Sequence, residues 1–529
     1  MKRFTLFMVA FGFALTISAT LAVAQDESDT SPNELVVAMG KSDIQLNPTL
    51  AFSATEAQLF TAIYEGLVTY DPFTLEPVPG VAKSWDVSPD GKTYTFHLRQ
   101  DARYWDGQDV TAGDFRNAWL QLLNPKEKAP YSFLLDVVKG AKAYRLGEST
   151  DPNSVGIKAI DSKTLEVELN EPASDFLKIL CHYAFVPIPK PFLSVKDWSA
   201  QATVPGNGPF YILKHTPDEI DLIKNKLYWD ADNVHLSRIK ILLTNDADKI
   251  TTLFNEGKIQ WAAGGANWEK VKNTKAIVIN PMFATSYFYF NCRQTPWDKP
   301  EVRRALALLL PWDKIRVPNQ LYIPATTLVP KISSYPDVKG IDKQNIPEAM
   351  SLLTKAGFAD GKGLPPVTIV VPRGDESTRI ADVMAETWKS TIGLTVDVKT
   401  YPYNAYYHAI QTGPFTLATT TWIGDFADPL TFLQMWTSDS NLNGAGYSNP
   451  VYDRKIKESM GQPESERYKT MAEAETMLLA QAAVLPIDHT PAVNLINLSV
   501  IEGWFPNPLD IHPFKYMEWR APEPIPGAI

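Results

Sequence analysis

Between Tyr401 and Trp436 the chain gathers Tyr401, Tyr403, Tyr406, Tyr407, Trp422, Phe426 and Trp436, with Asp425 set among them. Flat rings offer a ligand a large contact area at small entropic cost, and Tyr and Trp keep a polar edge for a ligand backbone or for water. Aromatic runs also build cores, and composition alone leaves those two readings even. Asp425 separates them. A carboxylate inside Trp422-Ile423-Gly424-Asp425-Phe426 is costly to bury unless something cationic meets it, and an α-ammonium group is one candidate. The pattern reads as a recognition surface carried in loops.

Other chemistries lack their residues. The chain has no GxSxG elbow, no HExxH helix, no GxxxxGK[ST] loop and no GxGxxG turn after a strand. The seven histidines are scattered, with no i, i+4 pair to set two imidazoles on one helix face, and they read as surface or packed side chains. Gly80, Gly91 and Gly107 stand singly and cannot align the consecutive N–H groups of a phosphate cradle. Asp425 and Asp428 could share acid–base work only in a cleft that raises a carboxyl pKa. Cys181 and Cys292 belong to no CxxC or Cys/His cluster, so no metal or other cofactor is expected, and buried, unpaired thiols are the reading for both. With 50 Lys plus Arg against 60 Asp plus Glu, a formal charge of −10, no basic block exists to meet nucleic acid or anionic lipid.

A recognition surface of this kind needs a large scaffold. The chain has 529 residues, 45% hydrophobic and 21% charged, an ordinary globular composition too long for one core. Glu34 to Ala38 reads as a strand and Glu56 to Gly66 as a helix closed by its glycine. Thr93 to Leu98 and Thr164 to Leu169 alternate polar and apolar residues, as strands do, and Phe210 to Leu213 starts another strand set. Helices are expected over Glu301 to Leu310, Pro347 to Ala356, Ile380 to Ile392 and Glu464 to Ala482. Strands at Thr368 to Val371 and Leu394 to Val398 flank the third helix and make a β-α-β unit. Ahead of all this, Lys2-Arg3, an apolar run and small residues at Ala22 and Ala24 read as a secretory signal over 1–24, cut before Gln25. Thr16, Ser18 and Thr20 dilute the run below what a membrane anchor needs, and no cysteine follows the cut, so the mature chain is expected free in an exported compartment such as the periplasm.

Several collinear motifs then point one way: Leu46-Asn-Pro48, Tyr64-Glu-Gly-Leu67, Pro79-Gly-Val-Ala-Lys-Ser-Trp85, Tyr94-Thr-Phe-His-Leu-Arg99, Trp105-Asp-Gly107, Val110-Thr-Ala-Gly-Asp-Phe115, Gly206-Asn-Gly-Pro209, Tyr228-Trp229 and Trp422 to Pro429. Over nearly its whole mature length the chain resembles the periplasmic oligopeptide-binding proteins of bacterial ABC importers, within the peptide- and nickel-binding solute receptors. The resemblance implies an α/β fold of two lobes and three domains, with the ligand in a cleft between the lobes. Domain I would be assembled from 25–76, 200–285 and 497–529, domain II would be 77–199, and domain III 286–496. It implies a peptide paired like an added strand, with its α-ammonium on Asp425. Backbone around Trp422, Ile423 and Gly424 would pair with the peptide, Tyr403 would lie in a pocket, and Tyr131 and Ala54 would face them from the other lobe. Tyr287 and Asn443 would line the cleft. The partners implied are an oligopeptide and an ABC permease with its ATPase, the receptor being a monomer without catalysis. A nickel chelate or a sugar is the alternative ligand, and a secreted hydrolase the alternative class. Three departures bear on the peptide's other end. Thr419 and Ser377 stand where relatives carry an arginine and a histidine, and Ile423 stands in place of a cysteine. Arg293, Arg373 and Arg379 are candidate replacements for the missing cations.

Overall fold

The computed structural model describes residues 34–201, 203–317 and 322–521, apart from the side chains of Asp375, Tyr403 and Asn404. The secretory signal expected over 1–24 lies outside the described residues. Among these, three large sheets of four, six and seven strands carry the fold.

Alternation places the four-stranded sheet. Thr93–Leu98 and Thr164–Glu168 bury every second residue and pair antiparallel at its centre, flanked by Ala82–Val87 and Ile157–Asp161. The seven-stranded sheet is assembled from distant segments, in the order Ile277–Asn280, Ala492–Ile496, Trp261–Ala262, Glu34–Met39, Arg238–Leu243, Glu219–Lys224, Phe210–His215. Its inner strand Glu34–Met39 runs parallel to both neighbours and buries Leu35, Val37, Ala38 and Met39. The six-stranded sheet is ordered Ile323–Pro324, Val484–His489, Ala284–Phe290, Leu417–Ile423, Val367–Pro372, Val396–Tyr401. Val484–His489 therefore belongs to one large sheet and Ala492–Ile496 to another. The chain crosses back between His489 and Ala492, ahead of the 496/497 boundary expected above, because Ala492–Ile496 is needed to pair with both Ile277–Asn280 and Trp261–Ala262.

Local rules also set the helices. Ala54–Ile63 opens on a capping box, with the Ser53 hydroxyl accepting from Glu56 N–H and the Glu56 carboxylate accepting from Ser53 N–H. It stops at Ile63 rather than at Gly66, because Gly208 N–H takes the Ile63 carbonyl and Tyr64 turns extended. A Cβ on Gly208 would lie 2.7 Å from the Ala62 carbonyl oxygen, which explains a glycine at that crossing. Asp375–Ile392 ends on Gly393 in the left-handed region, φ 66°, and the turn delays the next strand to Val396. Behind the six-stranded sheet a core forms around Leu306, Trp312 and Trp388, whose Nε1–H donates to Leu306 O at 2.8 Å. A larger core joins the other two sheets through Leu35, Phe96, Phe115 and Trp119.

Ion pairs and side-chain hydrogen bonds tie distant segments of the chain together. Arg467, on the helix Glu464–Ala480, reaches Asp175 at 3.0 Å, and all of that cluster is buried. Arg145 pairs with Asp136 at 2.6 Å and donates to the carbonyl of Asp439, which also meets Lys142 at 2.5 Å. Asn441 donates to Ala129 O and Ser132 Oγ, both at 2.7 Å.

Candidate functional site

The strand Leu417–Ile423 has one covered edge and one largely open edge. It pairs along its whole length with Ala284–Phe290, whereas Val367–Pro372 covers only Leu417 and Ala418 on the other side. Gly424 N–H donates to Phe283 O, so even-numbered residues here turn their backbone toward Ala284–Phe290. Odd-numbered residues turn it the other way. Thr419 does so and is satisfied by the Tyr406 hydroxyl, which accepts from Thr419 N–H at 3.0 Å. The backbone groups of Thr421 and Ile423 therefore face the open edge.

That edge borders a cavity of about 460 Å³, within the range of small-ligand sites. Trp422, Ile423, Gly424 and Asp425 line it from one side, Ala54 and Tyr131 from the other. Phe52 joins the two walls, its ring centroid 6.3 Å from Tyr131, 5.9 Å from Tyr407 and 6.1 Å from Trp422. Gly424 has no room for a side chain: a Cβ would lie 2.7 Å from the Phe283 ring and 3.0 Å from Thr431. Its absence brings the turn carrying Asp425 close against the sheet.

Asp425 ends this turn with its side chain 9% exposed. Its N–H donates to Thr431 Oγ1 at 2.8 Å, Thr431 Oγ1–H donates back to Oδ2 at 3.2 Å, and the Tyr131 hydroxyl also donates to the carboxylate. His182 Nε2 stands 3.8 Å from Oδ1. His182 Nδ1 accepts from Ala184 N–H, so the ring proton sits on Nε2 and faces Asp425, and burial lowers the imidazole to about 3, leaving it neutral. Among the described residues no Lys or Arg pairs with Asp425. Burial accordingly pushes its carboxyl up to about 7, with the Thr431 and Tyr131 hydrogen bonds only partly opposing this. Tyr70 closes the site from below, its hydroxyl donating to Asp425 O at 2.8 Å.

Other expected residues lie elsewhere. Tyr287 is buried between Trp436 and Tyr289, because Ser286 and Phe288 face the cavity and alternation turns Tyr287 to the opposite side. Asn443 clamps its own loop, donating to Thr437 O and Tyr447 O and accepting from Tyr447 N–H. Tyr403 opens the helix Tyr403–Thr412, and its side chain lies outside the described residues. Apart from Phe426, which shares the turn of Asp425, the aromatic run is not carried in loops. Tyr401 ends a strand, Tyr406 and Tyr407 lie on that helix and Trp422 on a strand, while Tyr406, Phe426 and Trp436 are core. Of the candidate arginines, Arg293 donates to Gly444 O and Asn443 O, and Arg379 binds Glu376 and the carbonyls of Lys314 and Ile315. Arg373 borders a separate surface recess with Thr378 and Asp382. Cys181 and Cys292 are free and only partly buried. Sequence reading missed His182, Phe52, Tyr70 and Asp488 as cavity residues, and no local spacing marks any of them. Among the described residues no group of three His, Cys, Asp or Glu could hold a metal, and no helix is long and apolar enough to cross a membrane.

The family model of the bacterial extracellular solute-binding proteins, family 5, matches residues 76–444. The chain belongs to this family. The oligopeptide-binding protein OppA of Bacillus subtilis is 29% identical over 509 residues, 92% of each chain. The structure of the Escherichia coli murein tripeptide-binding protein MppA superposes with a TM-score of 0.83 at 26% identity, covering 92% of this chain and 99% of that one. MppA in its unliganded open form superposes less well, TM-score 0.63, at the same identity and with 92% and 97% covered. The fold is thus the two-lobed α/β fold of these receptors, and the family member is a solute-binding protein acting outside the cytoplasm, not an enzyme.

Proposed function

We propose that this family member captures oligopeptides in the cavity and delivers them to an ABC permease and its ATPase. The carrying observation is the open backbone edge of Thr421 and Ile423 leading directly into Asp425, a buried carboxylate without a cation. An extended peptide can pair with that edge, so affinity comes from main-chain bonds common to all peptides. Its α-ammonium then meets Asp425 and restores the charge balance that burial upsets. Trp422, Tyr407 and Phe52 supply apolar contact to the first side chains. The name of the Bacillus subtilis relative supports a peptide ligand, and that of MppA supports a short one.

In this reading residues 34–76, 200–285 and the chain from the strand Ala492–Ile496 to residue 521 form one body, 77–199 is inserted in it, and the chain from 286 to the strand Val484–His489 is the lobe that closes. The better superposition on one MppA structure than on its open form supports hinge closure. The mature receptor works in the periplasm as a monomer after its signal is cut. Calorimetry with tetraalanine and its N-acetylated form tests the site. The free peptide should bind and the acetylated one should not, whereas equal affinities would remove Asp425 from ligand recognition.

A further inference from the structure

Five carboxylates line the cavity, and three of them are already matched by nitrogen bases. Glu65 accepts from Trp229 Nε1 at 2.6 Å and lies 3.9 Å from Lys515 Nζ. Glu376 takes two bonds from Arg379, at 2.9 and 2.7 Å. Asp510 meets His512 Nε2 and Asn494 Nδ2. Lys515, the one Lys or Arg lining the cavity among the described residues, is held by Asp230 at 3.2 Å and by the Tyr228 hydroxyl at 3.1 Å. It has no freedom to serve a ligand's carboxylate. Asp425 and Asp488 remain, and among the described residues their carboxylates are met by hydroxyl groups and, for Asp425, by its own N–H, but by no Lys or Arg.

Asp488 lies at the other side of the same sheet face. Thr490 Oγ1–H donates to its Oδ1 at 2.8 Å, and a row of hydroxyls continues through Ser286, 2.8 Å from Thr490, to Thr421, 2.7 Å from Ser286. These hydroxyls line the cavity and can reorient around a guest. Among the described residues no Lys or Arg pairs with Asp488, although Glu376 adds a like charge near it. Burial lifts its carboxyl to about 6, so it is ionised at neutral pH and lacks a counter-charge.

We infer that the ligand carries a second cationic group, read by Asp488 across the cavity from Asp425. Register supplies the spacing. Ser286 faces Asp488 on one side and Thr421 on the other, so Asp488 and Thr421 stand about 10 Å apart across two strand spacings. Asp425 follows Thr421 by four residues, at most about 14 Å further along the chain. The two legs put Asp425 and Asp488 at most about 17 Å apart; a basic side chain spans about 6 Å of that and an extended peptide advances about 3.4 Å per residue, which places the second cation no further than about the fourth residue. The ligand class is then a short peptide with a free amino end and one basic side chain. This inference rests on the peptide-binding reading above.

The test uses the mature protein and tetraalanine carrying lysine, norleucine or glutamate at position two, three or four, titrated by calorimetry at pH 7.5. Norleucine keeps the lysine stem and removes the charge. At one position lysine should bind about tenfold tighter than norleucine, and glutamate more weakly than either. In Asp488→Asn the ratio of lysine to norleucine affinity at that position should fall to about one. Lysine no better than norleucine at every position would overturn the inference while leaving the peptide reading intact. So would an undiminished lysine advantage in Asp488→Asn. Failure of tetraalanine and all its variants to bind would overturn the peptide reading and the second cation with it.

Discussion

Asp425 and Asp428 leave the same turn, three residues apart, and burial hides both side chains. Asp428 receives two bonds from the Arg467 guanidinium, and Arg467 also reaches Asp175, far away in the chain, at 3.0 Å. Asp425 receives only hydroxyl and backbone partners and faces a neutral imidazole. The same residue type at the same depth thus performs two tasks. A buried acid matched by a guanidinium belongs to the fold, because removing either partner strands a charge. A buried acid left unmatched beside a cavity is kept for something that arrives.

Substitution should break the comparison most visibly. Asp425→Asn should cost about 3 kcal/mol or more of peptide affinity, by loss of a charge-assisted partner, while leaving thermal stability undiminished. Calorimetry with tetraalanine beside thermal melts reads both. Asp428→Asn should do the reverse in kind, lowering folding stability by about 3 kcal/mol because Arg467 keeps only Asp175. Urea unfolding of the ligand-free protein checks this, and an unchanged midpoint would show the Arg467 pair to be dispensable.

Acidity sharpens the contrast at smaller amplitude. The ligand-free Asp425 carboxyl holds its proton up to about pH 7, and an ammonium ligand needs the ionised form. Binding must then release a proton, so affinity should fall about tenfold per pH unit below 7. Stability moves the opposite way. With its pKa raised on folding, Asp425 stabilises the ligand-free protein at low pH, and that contribution is lost as pH rises through about 7. Titrations at pH 5.5 and 7.5 in two buffers of different ionisation enthalpy would expose the proton, and equal affinities at both would count against an ionised Asp425 in the complex. The smallest effect belongs to the peptide's other end. Thr419 is engaged with Tyr287 O, Arg293 is bonded to the carbonyls of Asn443 and Gly444, and Arg379 is already taken by Glu376 and the carbonyls of Lys314 and Ile315. Amidating the C-terminus should therefore change affinity by about 1 kcal/mol or less. A larger loss would reveal a cation that reaches the carboxylate only with ligand bound.

Much of this molecule is determined by its sequence alone. Alternation in Thr93–Leu98 and Thr164–Glu168, the Ser53/Glu56 capping box and the β-α-β unit around Asp375–Ile392 follow from interactions within a few residues. The missing catalytic motifs were equally legible, as was the oddity of Asp425 among aromatic rings. Tertiary structure decided which aromatics serve the cavity: Trp422 and Tyr407 line it, while Phe426 and Trp436 are core. It also decided that His182 and Tyr131 face Asp425, that Arg467 goes to Asp428, and that Asp488 lies across the sheet from Thr421. Backbone periodicity is a local property, set by dihedral preferences and the faces they expose. Charge compensation depends on which distant segments pack together, and three residues of separation between Asp425 and Asp428 carry no trace of it.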